Sequence, residues 1–213
     1  MFLFLCEELL TDQSSILKNA YKQNIIEYSA SGSSSQNING TIQKTKPEYA
    51  FNQIEKDYDW CSNCGHSRKE HPYLILHIKN RTMNLQGYYL KSGCSNKIEC
   101  CCFEGVSYCA ECCLYSWSFQ ISNDNLTWKT IHKVEKDKEM RRGKEKTYKF
   151  SETYNAIYVR LIQDEACPGD PPCLALNKIE LIGTYDGSEI LPDFFDNEDD
   201  DVSIIGHISK NMP

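Results

Sequence analysis

Residues 116–122 read SWSFQIS, with Trp117, Phe119 and Ile121 at alternate positions and serine or glutamine between them. Successive side chains of a strand point to opposite faces, so this stretch sets three large apolar groups against one neighbour and polar groups away from it. The same period of two returns at residues 83–91 (MNLQGYYLK). YLILHI at 73–78 is apolar on nearly both faces, as in a strand covered on two sides. Further extended stretches lie at 128–133, 146–150, 157–162 and 174–182. Turn formers separate them: Asn80-Arg81, Asn123-Asp124-Asn125, Arg142-Gly143 and Pro168-Gly169-Asp170-Pro171-Pro172. Short strands with this punctuation bury their apolar faces only against one another, which predicts an all-β sandwich or barrel.

Residues 2–24 break that period. Leu9, Leu10, Ile16, Leu17, Ala20 and Tyr21 recur at helical spacing, and the polar residues 11–15 predict a break, with Asp12 or Ser14 as an N-cap. The chain thus divides into an N-terminal helical segment (1–26), a β domain (27–185) and an acidic tail (186–213) expected to be disordered around DNEDDD. The helical segment is either the end of a helical region lost upstream or an element docked on the strands. The opening MFLFLCEELL has no basic residue before its apolar run and is interrupted by Glu7 and Glu8, so it is not read as a signal peptide. No apolar run approaches the ~20 residues a bilayer requires. These features slightly favour the cytoplasm. Twelve cysteines pull toward an oxidising compartment and keep the location open.

The net charge of −7 argues against nucleic acid as a partner, because phosphate binding needs clustered Lys and Arg. Residues 129–149 carry nine basic and four acidic groups, and read as a solvated hairpin. There is no phosphate-binding loop, HExxH or GxSxG, and no nucleophile signature surrounds His66, His71 or His77. Catalysis is not expected.

The order of motifs carries a resemblance. YSASGSSS is followed by YAFN, DWCS, HPYLILHI, GYYLKS, WSFQISNDNLTWKTI, AIYVRLI and LALNKIELIGTY. This resembles the discoidin family, the C-type domains of coagulation factors V and VIII. The matching positions are Trp60; Trp117, Ser122, Asp124 and Trp128; Tyr158 and Arg160; and Glu180, Leu181 and Gly183. The resemblance implies a β-sandwich jelly roll of about eight strands, galactose-binding-like, over residues 27–185. Within it Trp60, Trp117 and Trp128 are expected in the core, the last two flanking the turn at Asp124. Arg160 is expected to pair with Glu180. The family's end-to-end disulfide is missing, since no cysteine lies near Tyr28 or Tyr185.

By the same resemblance three loops form the recognition end: 37–48, 61–71 and 93–114. The second and third hold nine cysteines. Three readings stay open. Disulfides within and between the loops are one. Structural zinc on Cys61, Cys64, Cys109 and Cys112 is the second, with His66 or His71 as a substitute ligand. Unpaired thiols are the third. Cys167 and Cys173 are close enough in sequence for a local disulfide.

Discoidin-like domains bind sugars, phospholipid headgroups or proteins at the loop end. A sugar needs an aromatic platform for its C–H face and polar groups for its hydroxyls. Phe103 or Tyr108 with His66, Arg68, Lys69 or His71 supply both types. Apolar loop tips are sparse, so a membrane surface is not the expected partner. The reading is a non-catalytic module for carbohydrate (galactose-type) recognition or cell adhesion, with a carbohydrate or protein ligand. The alternative is an intracellular protein–protein interaction domain with zinc or thiols in its loops. Three Asn-x-Thr sequons begin at Asn39, Asn80 and Asn125.

Overall fold

The computed structural model describes residues 14–54, 56, 58–65, 67–94, 103–104, 107–108 and 112–188. Within them lie one α-helix, α1 (Ile16–Lys22), and a 3-10 turn at Pro47–Ala50. The first strands are β1 (Ile26–Ala30), β2 (Ser35–Ile38), β3 (Thr41–Lys44), β4 (Trp60–Cys61), β5 (Tyr73–Ile78) and β6 (Met83–Ser92). They are followed by β7 (Phe103–Glu104), β8 (Ser107–Tyr108), β9 (Ser116–Ser122) and β10 (Lys129–Val134). The chain closes with β11 (Glu145–Ala156), β12 (Tyr158–Glu165) and β13 (Ala175–Tyr185). The tail's acidic run and residues 1–13 lie outside the described residues.

Three antiparallel sheets form. One has the order β1-β5-β12-β9-β10, a second β11-β6-β13-β4, and a small third β3-β2-β7-β8. The alternation read from sequence becomes the core. Leu74, Leu76 and Ile78 of β5, Trp117 and Phe119 of β9, and Val159 and Leu161 of β12 are buried. They share one core with Leu85, Tyr88 and Leu90 of β6 and Ile179 and Leu181 of β13. Each such side chain contributes about 1.5–3 kcal/mol on leaving water. At the centre Tyr88 stacks on Phe119 at 4.4 Å and on Tyr148 at 4.9 Å. Its hydroxyl accepts from Trp117 Nε1 (3.1 Å) and donates to His132 Nδ1 (2.8 Å). Burial holds the His132 pKa down, which keeps that ring neutral and able to accept.

Register shows which ends meet. Ala30 pairs with Leu74, Tyr73 with Ile162, and Ser116 with Glu165. Lys91 pairs with both Glu145 and Lys178. The strand ends that flank segments 31–72, 93–115, 135–144 and 166–174 therefore lie at one end, here called the loop end. Turns 79–82 and 123–128 close the opposite end.

Several expectations change. Residues 129–149 are not a hairpin: β10 pairs with β9 and β11 with β6, so the basic segment crosses from one sheet to the other. The expected first loop holds the β2–β3 hairpin, which joins β7. Ser15, rather than Asp12 or Ser14, is the N-cap residue of α1. That helix is docked: Ile16, Leu17 and Ala20 are buried in the shared core. Gly183 N–H donates to Ser14 O (2.8 Å) just before the helix, and at its φ of +142° a Cβ would collide with the Asn84 carbonyl of neighbouring β6.

Candidate functional site

The loop end is built on buried polar bonds. Asp59 is buried between the sheets; its carboxylate accepts from Cys94 N (2.8 Å) and Asn177 Nδ2 (3.0 Å). Its own N–H donates to Gln36 Oε1 (2.9 Å), which ties β2 to the platform. Thr45 Oγ1 donates toward Ser34 O and Cys61 O, and accepts from Cys61 N. Such inward bonds satisfy backbone groups that loops would otherwise leave buried and unpaired.

Loop 61–71 is stitched to the 166–174 segment. Ser62 N donates to Leu174 O (2.9 Å) and Gly65 N to Pro172 O (2.7 Å). Gln163 grips Cys173 from both sides, accepting from its N–H (3.0 Å) and donating to its carbonyl (3.1 Å). On this base stands a tight turn with Arg68, Lys69 and His71 exposed. Ser67 N donates to Glu70 Oε1 (3.0 Å), Glu70 N to Ser67 O (3.0 Å), and Lys69 N to Ser67 Oγ (3.2 Å). His71 Nδ1 lies 2.9 Å from Gln163 O. A carbonyl partner puts the proton on Nδ1 and leaves Nε2 as an acceptor. Phe103 and Tyr108 pair with each other across β7–β8, and Phe103 pairs with Ser35. His66 lies outside the described residues.

The cysteines separate into two groups. Disulfides join Cys94 to Cys112 and Cys113 to Cys167, with Cα separations of 5.8 and 6.2 Å. This replaces the expected Cys167–Cys173 bridge. Cys173 instead packs in a buried cluster with Cys61, Cys64, Cys94 and Cys112. Of the four thiolates read as a zinc set, Cys112 is bonded to Cys94, Cys61 and Cys64 pack in the buried cluster with that disulfide, and Cys109 lies outside the described residues. Among the described residues no group of three or more His, Cys, Asp or Glu has the placement of a metal site. No helix among them is long and apolar enough to cross a membrane.

At the 123–128 turn Asp124 makes the expected tight turn, while Trp128 departs from its expected core role. Asp124 accepts from Leu126 N (2.8 Å), Thr127 N (2.7 Å) and the Ser122 and Thr127 hydroxyls. These bonds, that from Thr127 Oγ1 first, hold its carboxyl well below the usual range. Trp60 and Trp117 are buried. Trp128, by contrast, is half-exposed and carries the Arg160 guanidinium over its ring at 4.2 Å. Trp117 lies at the other end of β9, opposite Val134, so the two do not flank one turn. Arg160 Nε donates to Gln120 Oε1 (2.7 Å). Its expected partner Glu180 sits in the other sheet, where it accepts from Leu17 N (2.7 Å) and Lys18 N (3.1 Å). Trp128 borders a groove of about 380 Å³ with Asn123, Asp124, Lys129 and Asn155, at the end opposite the loops. Sequence reasoning missed this groove, because Asn155 belongs to β11, about 30 residues after the β9–β10 turn, and only the tertiary fold brings the end of β11 beside it, where Ile157 N donates to Ser122 O (3.2 Å).

The two facing sheets and the bonded loop end define a discoidin-like, galactose-binding-like β-sandwich. No family profile matches the chain, and no curated protein matches it. Solved structures do. A family 32 carbohydrate-binding module from Clostridium perfringens, in complex with GalNAc-β-1,3-galactose, is 12% identical. It matches over 79% of this chain and 99% of its own, with a TM-score of 0.54. Another such module, from a family 31 glycoside hydrolase of the same organism, is 13% identical over 81% of this chain and 96% of its own (TM-score 0.55). A fucolectin from striped bass (Morone saxatilis) serum is 12% identical over 78% of this chain and 48% of its own (TM-score 0.52).

Proposed function

We propose that this chain is a non-catalytic carbohydrate-binding module that recognises a galactose-type sugar at its loop end. The observation that carries this is the sandwich shared with modules solved with galactose and with GalNAc-β-1,3-galactose. The loop end supplies matching chemistry. A turn pinned by Ser67 and Glu70 presents Arg68 and Lys69 as donors, and His71 as an oriented acceptor through Nε2. Phe103 and Tyr108 are the proposed stacking partners for the sugar's C–H face. Rigid backbone beneath that turn lowers the ordering cost of a weak ligand. The two disulfides support an oxidising, extracytosolic setting over the cytoplasm.

The test is a titration of isotope-labelled full chain with galactose and with GalNAc-β-1,3-galactose, read by backbone chemical shifts. Shifts gathered at residues 67–71 and 103–108 are expected, and Arg68→Ala with His71→Ala should weaken affinity at least about tenfold, the scale of one lost charged hydrogen bond. No shift with either sugar would sink the carbohydrate reading. Shifts confined to Trp128 and Asn155 would move the site to the opposite end.

A further inference from the structure

We propose that Asn39, Asn80 and Asn125 carry N-linked glycans. Each begins an Asn-x-Thr triplet: Asn39-Gly40-Thr41, Asn80-Arg81-Thr82 and Asn125-Leu126-Thr127. A sequon alone is a weak signal, but the fold treats these three alike. Each asparagine is exposed, at the turn between consecutive strands: β2–β3, β5–β6 and β9–β10. Each has a left-handed backbone, with φ of 53°, 55° and 59°. Asparagine tolerates that conformation, and a side chain at a turn tip can bear a bulky polar chain without disturbing a sheet ladder.

Two further observations point the same way. The Cys94–Cys112 and Cys113–Cys167 disulfides belong to the oxidising secretory route along which asparagine is glycosylated. Two of the turns also carry a large apolar side chain beside them in open solvent. Leu126, next to Asn125, is 85% exposed, and Ile42, three residues after Asn39, is 65% exposed. A solubilising glycan at each turn would cover them. The placement has a consequence for binding. Asn80 and Asn125 lie at the end opposite the loops, and Asn125 sits between groove residues Asp124 and Thr127. Glycans there would occupy the Trp128 groove's margin and leave the turn at Arg68 and His71 open.

The test is peptide mapping of the full chain purified from the cells that make it, after enzymatic release of N-glycans. Conversion of Asn39, Asn80 and Asn125 to aspartate is expected. An unmodified asparagine at any of the three in folded, disulfide-bonded protein overturns the assignment at that position. For confirmation the full chain is secreted from eukaryotic cells as Thr41→Ala, Thr82→Ala and Thr127→Ala. Each should lose one glycan step in gel mobility. The Thr127 hydroxyl also donates to Asp124, so Asn125→Asp, which keeps the turn, replaces Thr127→Ala if that variant does not fold. Mobility unchanged in any of these variants rejects the corresponding site. Sugar binding is a separate measurement, so loss of one reading leaves the other standing.

Discussion

Glu180 shows what one buried carboxyl does to this fold. It accepts from Leu17 N, Lys18 N and Leu181 N, all of which favour the carboxylate. Burial outweighs them and pushes its pKa from 4.5 up to about 7. A carboxyl with a raised folded pKa holds its proton more tightly when folded. The resulting stability is therefore full below about pH 4.5 and is lost as pH rises through 7. The melting temperature should fall across that window, and Glu180→Gln, which keeps an acceptor for Leu17 N–H, should flatten the fall. Parallel pH curves for the two proteins would remove Glu180 as the cause. Arg160 makes a second residue-scale case. Its guanidinium sits over the Trp128 ring and donates to Gln120 Oε1, a pair of contacts that a lysine ammonium does not reproduce. Arg160→Lys should cost about 1 kcal/mol in chemical denaturation, the range of a half-exposed cation–π contact. An unchanged denaturation midpoint would mean the stack contributes nothing.

At the scale of elements, α1 and the disulfides hold what the sheets alone do not. Leu17 is fully buried where α1 meets β13, so Leu17→Ala should cost about 2–5 kcal/mol through lost burial and a cavity. Denaturant titration checks this, and a cost near zero would mean the helix is not docked in solution. The disulfides close loops of different size, 18 residues apart for Cys94–Cys112 and 54 for Cys113–Cys167. In the chain-entropy account the larger loop constrains the unfolded chain more, about 4 against about 3 kcal/mol. Replacing Cys113 and Cys167 together with serine should therefore destabilise more than replacing Cys94 and Cys112. The reverse order would show that native packing in the cysteine cluster, rather than loop entropy, sets the cost. Elements were also where sequence was most legible. Residues 73–78 and 116–122 became β5 and β9 with the boundaries read from sequence, the first from its continuous apolar run and the second from its alternation, because both signals lie in adjacent residues.

For the molecule as a whole, the two ends of the sandwich differ in construction. The loop end is cross-linked by disulfides and by the buried Asp59 and Gln163 networks. The opposite end is closed by short turns, one of them fastened by Asp124. Binding is proposed at the first, and two of the three glycans, at Asn80 and Asn125, at the second, with Asn39 on the β2–β3 turn of the loop end. The candidate ligand residues were partly legible. The turn at Arg68–His71 is local in sequence, and its exposure followed from its polarity. The loop cysteines were legible as a group but not as pairs, because pairing depends on which segments the sheets deliver to the same end.

By itself the amino-acid sequence determined the all-β class, the positions of the long strands of the two main sheets, most turns and the short helix, since each is written in residues a few positions apart. Only the tertiary structure decided the rest. It joined Cys113 to Cys167, set Arg160 on Trp128 instead of beside Glu180, and carried residues 129–149 from one sheet to the other. It also docked α1 on β13 through Glu180. These are contacts between segments tens of residues apart. Alternation says which face of a strand is buried, but it does not say which strand will cover it.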